Sequence, residues 1–140
     1  MTPVESFGKR VDIELKRAQR YSIFISMTVF DLSFLKDREM NSKDVIVQDT
    51  VNLIQKNVRE IDNVALIDNY KIGLLFPETQ RQGAEIASRR IADVIRDSIS
   101  HLVQKEHEGL IPLEMLSYPD AAGAKSLSEF LEELVNTNRN

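Results

Sequence analysis

The sequence predicts an α+β fold, an antiparallel-rich central sheet with helices packed around it. Three observations lead there. Two apolar runs flank Asp68-Asn69 as a hairpin would. Stretches with apolar residues three and four apart alternate with short runs rich in β-branched and aromatic residues. The order of these segments is helix, strand, helix, hairpin, helix, strand, helix.

Thr2-Pro3-Val4-Glu5 carries a capping hydroxyl, a proline at the first helical position and a glutamate three residues after the cap. Phe7, Val11, Leu15 and Ala18 then share one face, so the first helix is expected to reach about Arg20. Tyr21 to Leu32 is an apolar, partly alternating run that suits a central strand covered on at least one face, with Asp31 at its end. Val47, Val51, Ile54 and Val58 place a second helix over Lys43 to Glu60. Strands near Asn63 to Ile67 and Tyr70 to Phe76 make the hairpin. Its Asp68-Asn69 tip suits the positive backbone angles of a tight turn, and Pro77 ends the pairing because it lacks an amide donor. Ala84, Ala87, Ile91, Ile95 and Leu102 mark a long helix from Thr79 to Lys105, with small residues early for close packing on a sheet. Leu110 to Tyr118 reads as a further strand. Ser126 to Glu129 repeats the capping pattern ahead of Leu127, Phe130, Leu131, Leu134 and Val135 on a last amphipathic helix. Helices on one face of the sheet are the simplest layering.

With 140 residues, 42% apolar and 29% charged, one compact domain over 1–140 is the expectation. A net charge of -4 argues against bulk nucleic acid as a partner, which calls for a clustered excess of Lys and Arg. The absence of cysteine excludes a disulfide framework and a thiolate metal site. No apolar run nears the ~20 residues of a membrane span, so a cytoplasmic location without membrane insertion is expected. His101 and His107, six apart, fit neither an i, i+4 metal pair nor a nucleophile's base.

Ala65 to Thr79 resembles the signature region of GGDEF domains, the diguanylate cyclases. There a strand leads to Gly-Gly-Asp/Glu-Glu-Phe, then an apolar strand and Pro-Glu-Thr. The five signature positions here are Asp68, Asn69, Tyr70, Lys71 and Ile72, followed by an apolar strand and Pro77-Glu78-Thr79. Phe30 to Lys36 is similar to the family's first-strand Asp-hydrophobic-Asp-His-Phe-Lys, and Ser117-Tyr118-Pro119-Asp120 to the segment after its fourth strand. The resemblance runs from Phe7 to about Leu134 and implies a nucleotide-cyclase-like sheet with a ferredoxin-like core. The family's closing Ala-Lys-x-x-Gly-Arg-Asn region is reduced to Asn-Thr-Asn-Arg-Asn at 136–140.

The family condenses two GTP molecules into cyclic di-GMP, a bacterial second messenger, which needs a divalent metal on carboxylates and room for triphosphates. Asp31 matches the first metal aspartate, but the next such position is Ser33, and the acidic pair of the signature is Tyr70 and Lys71. Asp68 and Asn69 replace the glycines that let phosphate approach. Asp44 matches a guanine-contacting aspartate, with Glu39 where the partnering asparagine stands. Asp31, Asp44, Asp68, Asn69, Tyr70 and Lys71 therefore read as a vestigial active site with no catalytic residue, no metal site and no cofactor. Read without the family, they are a strand-end cap, a hairpin tip and two solvent-edge residues.

Arg59-Glu60-Ile61-Asp62 is an Arg-x-x-Asp motif ending five residues before the signature, the spacing of the family's inhibitory site for cyclic di-GMP, and Arg90 falls where that site draws another arginine. Arginine presents a planar donor fork to guanine O6 and N7 or to phosphate, and aspartate accepts from the guanine amino and imino hydrogens. Arg59, Asp62 and Arg90 are thus candidate ligands for cyclic di-GMP. The competing reading of Arg59 and Asp62 is an i, i+3 ion pair at a helix end, worth a few tenths of a kcal/mol. Three functions follow: an inactive messenger-binding effector or sensor, a nucleotide-independent interaction module with a protein partner or as a homodimer, and a GTP-binding allosteric domain without turnover.

Overall fold

Residues 2–37, 43–102, 109–119 and 126–138 are described in a computed structural model. Thr2 caps the first helix as its hydroxyl accepts from the Glu5 amide at 3.2 Å, while the Glu5 carboxylate accepts from the Thr2 amide at 3.4 Å. This helix, α1, spans Pro3–Tyr21 and stops where Ser22 turns left-handed at φ 55. The first strand, β1, is therefore shorter than its apolar run, Ile25–Asp31. A 3-10 turn over Ser33–Asp37 follows, then α2 at Lys43–Gln55. Strands β2 (Asn63–Leu66) and β3 (Lys71–Pro77) form the hairpin, and α3 covers Arg81–Leu102. Strand β4 spans Leu113–Tyr118 and α4 spans Leu127–Asn138, its Ser126 hydroxyl accepting from the Glu129 amide.

The sheet is antiparallel with strand order β2-β3-β1-β4. Its helices lie on both faces, not one. Ile25, Met27 and Val29 of β1 join Leu75, Leu116 and the α1 and α4 residues Phe7, Val11, Leu15, Leu127 and Phe130 in one buried cluster. Phe30, Ile72, Leu74 and Phe76 join Val47, Val51 and Ile54 of α2 and Ala84, Ile91, Ile95 and Ile99 of α3 in the other. Two-sided cover explains why β1 reads as a nearly continuous apolar run, since both sets of alternating side chains are buried. The two polar side chains inside it are satisfied. The Thr28 and Ser88 hydroxyls share a 2.8 Å hydrogen bond, and Ser26 donates to the Thr79 carbonyl at 2.8 Å.

Further differences from expectation fall at the end of α2, the hairpin tip and the start of β4. Helix α2 ends at Gln55 rather than Glu60 because the Asn57 side chain donates to the Leu53 carbonyl at 2.8 Å, turning the chain off the helix. The hairpin tip uses no positive φ at Asp68 or Asn69; among the described residues only Ser22 and Glu78 combine a side chain with one. A wider loop forms instead, closed by the Asp68 carboxylate accepting from the Tyr70 amide at 2.9 Å and by the Ile67 amide donating to the Lys71 carbonyl at 2.9 Å. Strand β4 starts three residues after Leu110, and the expected last turn of α3, 103–105, lies outside the described residues.

Gly73 sets how closely α1 approaches. A Cβ there would sit 2.8 Å from two ring atoms of Phe7 and 3.2 Å from Ile67, so the glycine is where the Phe7 ring lies directly on the sheet. Gly73→Ala is predicted to lower unfolding free energy by about 1–3 kcal/mol through overpacking. Urea denaturation checks this, and Phe7→Leu in the same chain should return part of the loss if the ring is the obstacle.

Candidate functional site

Two sets of sequence candidates occupy two places. Arg59 and Asp62 pair within the α2–β2 connection, and Arg90 reaches the same connection at Asn57. Arg59-Glu60-Ile61-Asp62 lies beyond the helix, in a turn closed twice: the Asp62 amide donates to the Arg59 carbonyl at 3.0 Å, and the Asp62 carboxylate accepts from the Arg59 amide at 2.9 Å. The same carboxylate receives Nε of Arg59 at 3.1 and 3.2 Å and Nη2 at 2.8 Å. Nη2 also reaches the Pro77 carbonyl at 3.1 Å and the Thr79 hydroxyl at 2.7 Å. Arg90, from α3, donates to the Asn57 carbonyl at 3.1 Å.

The ion pair is more than an exposed helix-end contact. The Asp62 side chain is 2% exposed while that of Arg59 is 51% exposed. The guanidinium spans from the turn to the junction after β3, leaving an outer face in water. That junction is itself tied down: Glu78, at φ 53, pairs with Arg17 of α1 at 3.1 Å, and its charge raises the Arg17 pKa above the ordinary value. Ser26 holds Thr79 from β1. The roles of Asn57, Pro77, Thr79 and Glu78 were not read from the sequence. They act through backbone atoms or by contacts between residues far apart in the chain, neither of which leaves a pattern.

The second set centres on the end of β1. Asp31 accepts from both the amide and the hydroxyl of Ser33, the amide at 2.8 Å, and is paired in register with Lys71 of β3. Residues directly opposite in antiparallel strands share a face, so the Asp31 and Lys71 side chains leave the same side of the sheet. Tyr70 is not a solvent-edge residue. It is half-buried against the α2/α3 core, its carbonyl accepts from the Leu32 amide at 2.7 Å, and Lys36 lies 5.2 Å from its ring centroid. Ile72 is fully buried in that core. Asp68 and Asn69 are exposed at the hairpin tip, and Asp44 is exposed in the first turn of α2. Glu39 and His107 lie outside the described residues, and His101 is exposed. Among the described residues, no three His, Cys, Asp or Glu side chains gather where a metal ion would bind.

This sheet order, with paired helices on each face and a hairpin beside the central strand, is the GGDEF-like α+β fold. Diguanylate cyclase SiaD of Pseudomonas aeruginosa, solved in complex with its activator SiaC, superposes with a TM-score of 0.70 at 20% identity, over 97% of this chain and 54% of that one. The GGDEF domain of YfiN from Pseudomonas aeruginosa gives 0.66 at 18% identity, covering 96% and 88%. The GGDEF domain of DgcB from Caulobacter crescentus, in complex with c-di-GMP, gives 0.62 at 15% identity, covering 97% and 84%. No family model matches the sequence. Exportin-T of Podospora anserina is 28% identical over 81 residues, which are 58% of this chain and 8% of that protein. Among the described residues, no helix is long and apolar enough to cross a membrane.

Arg59→Ala is predicted to cost about 1–2 kcal/mol, because it leaves a buried carboxylate without its charged partner and frees the Thr79 junction. An exposed ion pair would cost only a few tenths. Equilibrium denaturation at matched ionic strength distinguishes these values.

Proposed function

We propose that this chain is a non-catalytic GGDEF-like signalling domain that binds cyclic di-GMP at the α2–β2 turn. The observation that carries the reading is that Arg59 and Arg90, from separate elements, both lie at the α2–β2 connection, Arg59 in its turn and Arg90 on the Asn57 carbonyl. Each keeps part of its guanidinium toward water. Two forks so placed suit a ligand with guanine O6 and N7 edges and phosphate oxygens, which both accept paired donors. Asp62 orients Arg59 through three hydrogen bonds from its guanidinium. It accepts from guanine only if the ligand displaces part of that pairing. The complex of the DgcB domain with c-di-GMP supports the ligand class.

The non-catalytic part rests on the end of β1. A divalent ion needs several oxygen ligands. Asp31 already accepts from Ser33 and is paired in register with Lys71, while Tyr70 lies half-buried against the core, so these residues do not fit the metal that cyclase chemistry uses. Asp68 and Asn69 add side chains and a negative charge where phosphate would approach. The domain is then a cytoplasmic receptor whose output goes through a protein partner or a second copy. SiaD, with its activator, is an example of a similar fold under protein control.

A second reading is a nucleotide-independent interaction module. It is favoured by the pairing of Arg59 with Asp62, Pro77 and Thr79, which gives the motif a structural use without any ligand.

Isothermal titration calorimetry with cyclic di-GMP separates the two. Micromolar binding, about -8 kcal/mol, that is lost in Arg90→Ala is the expected result, with no cyclic di-GMP formed from GTP and magnesium. A folded sample that gives no heat supports the interaction module, and measurable turnover overturns the non-catalytic assignment.

A further inference from the structure

Nη2 of Arg59 uses two acceptors outside its own turn, the Pro77 carbonyl at 3.1 Å and the Thr79 hydroxyl at 2.7 Å. They stand on either side of Glu78. The Thr79 hydroxyl also donates to the Pro77 carbonyl at 2.8 Å, so the three groups form a closed set whose spacing is fixed by the backbone of the residue between. That residue is left-handed, at φ 53. A side chain in this region crowds its own backbone, and glutamate lacks the short polar group with which asparagine or aspartate offsets the cost. Glu78 keeps this conformation because its surroundings hold it there.

Two groups besides Arg59 do so. Ser26 of β1 donates to the Thr79 carbonyl at 2.8 Å. Arg17 of α1 pairs with the Glu78 carboxylate at 3.1 Å, both side chains about half exposed. Arg17 is itself anchored, 3.4 Å from a Glu14 carboxylate that is 8% exposed and is shared with Arg10 at 3.2 Å. Helix α1 packs on the opposite face of the sheet from α2 and α3. The Arg17–Glu78 pair therefore ties it to the junction that leads into α3 and supports the Arg59 turn.

We propose that Glu78 is a positioning residue for the messenger site: held by Arg17, it keeps the Pro77 and Thr79 acceptors in place and so makes the aim of the Arg59 guanidinium depend on α1. The inference rests on the messenger site proposed above and adds its regulation. The two states are Glu78 paired and Glu78 released. Linkage makes the dependence reciprocal. A ligand that draws Arg59 off Thr79 loosens Glu78 from Arg17, and a displacement of α1 that parts Arg17 from Glu78 weakens the ligand. An exposed ion pair sets the scale of the effect at about two- to fivefold.

Glu78→Gln serves both arms of the test, since the side chain is 50% exposed and the change leaves both cores intact. Without ligand, the Arg59 Nε–H of the isotope-labelled chain should exchange with water about two- to fivefold faster in Glu78→Gln than in the parent. Arg17→Met, which leaves Glu14 paired with Arg10, should do the same, and the double variant should be no faster than either. With ligand, calorimetry should give cyclic di-GMP binding about two- to fivefold weaker in Glu78→Gln. A carboxylate acting by charge alone does the reverse, because its removal near a dianion tightens binding. Unchanged Arg59 exchange in Glu78→Gln, additive effects of the two changes, or messenger binding by Glu78→Gln as tight as the parent's or tighter overturns the inference. A parent chain that binds no messenger overturns the receptor reading instead, and the exchange arm alone then decides whether Glu78 positions Arg59.

Discussion

The antiparallel register between β1 and β3 is the constraint on which the rest depends. Seven consecutive pairs join Ile25–Asp31 to Lys71–Pro77, and a slip of one residue would exchange the two faces of a strand buried on both sides. That register puts Gly73 opposite Val29, on the side where Phe7 lies against the sheet. It puts Lys71 opposite Asp31. At the other end it sets Pro77 opposite Ile25, which places the Pro77 carbonyl and the Thr79 hydroxyl where Arg59 reaches them. Packing, the altered strand end and the arginine turn are consequences of one alignment of two strands.

The two candidate sites lie at opposite ends of that alignment. At the Asp31 end the register sets Lys71 on the same face as the carboxylate, and Tyr70 lies half-buried against the α2/α3 core. At the Pro77 end, the backbone turns left-handed at Glu78 and is held by Arg17, Ser26 and Arg59 from three different elements. A ligand that engages Arg59 and Arg90 acts on groups that also tether α2, β3 and α3. Under the proposed function, a ligand at that turn would act on the β3–α3 junction through Arg59 and Thr79.

Much of this was legible in the sequence where the signal is local. The Thr2–Glu5 cap, the Ser126 cap, the long α3 stripe and the strand ending at Pro77 follow from short-range chemistry. The start of β1 was misplaced because Ser22 is left-handed without being glycine, and the end of α2 because Val58 prolongs the apolar period after Asn57 has already bonded back to Leu53. The hairpin tip fell on the right residues, but its conformation follows from the Asp68 side chain rather than from positive φ. Helices on both faces were written in β1 as a nearly continuous apolar run, but Ser26 and Thr28 gave it a partial alternation that also suits one covered face. The candidate turn was visible as Arg59, Asp62 and Arg90. Its attachment to Pro77 and Thr79 was not, since a carbonyl 18 residues away leaves no mark in the sequence.

Hydrogen exchange by mass spectrometry, with and without cyclic di-GMP, tests the central claim most directly. If the arginine turn is the receptor site, the messenger slows exchange over 56–64 and the first turns of α3 and leaves the hairpin tip at 66–72 unchanged. Protection centred on 66–72, or none in any segment at saturating messenger, would contradict it.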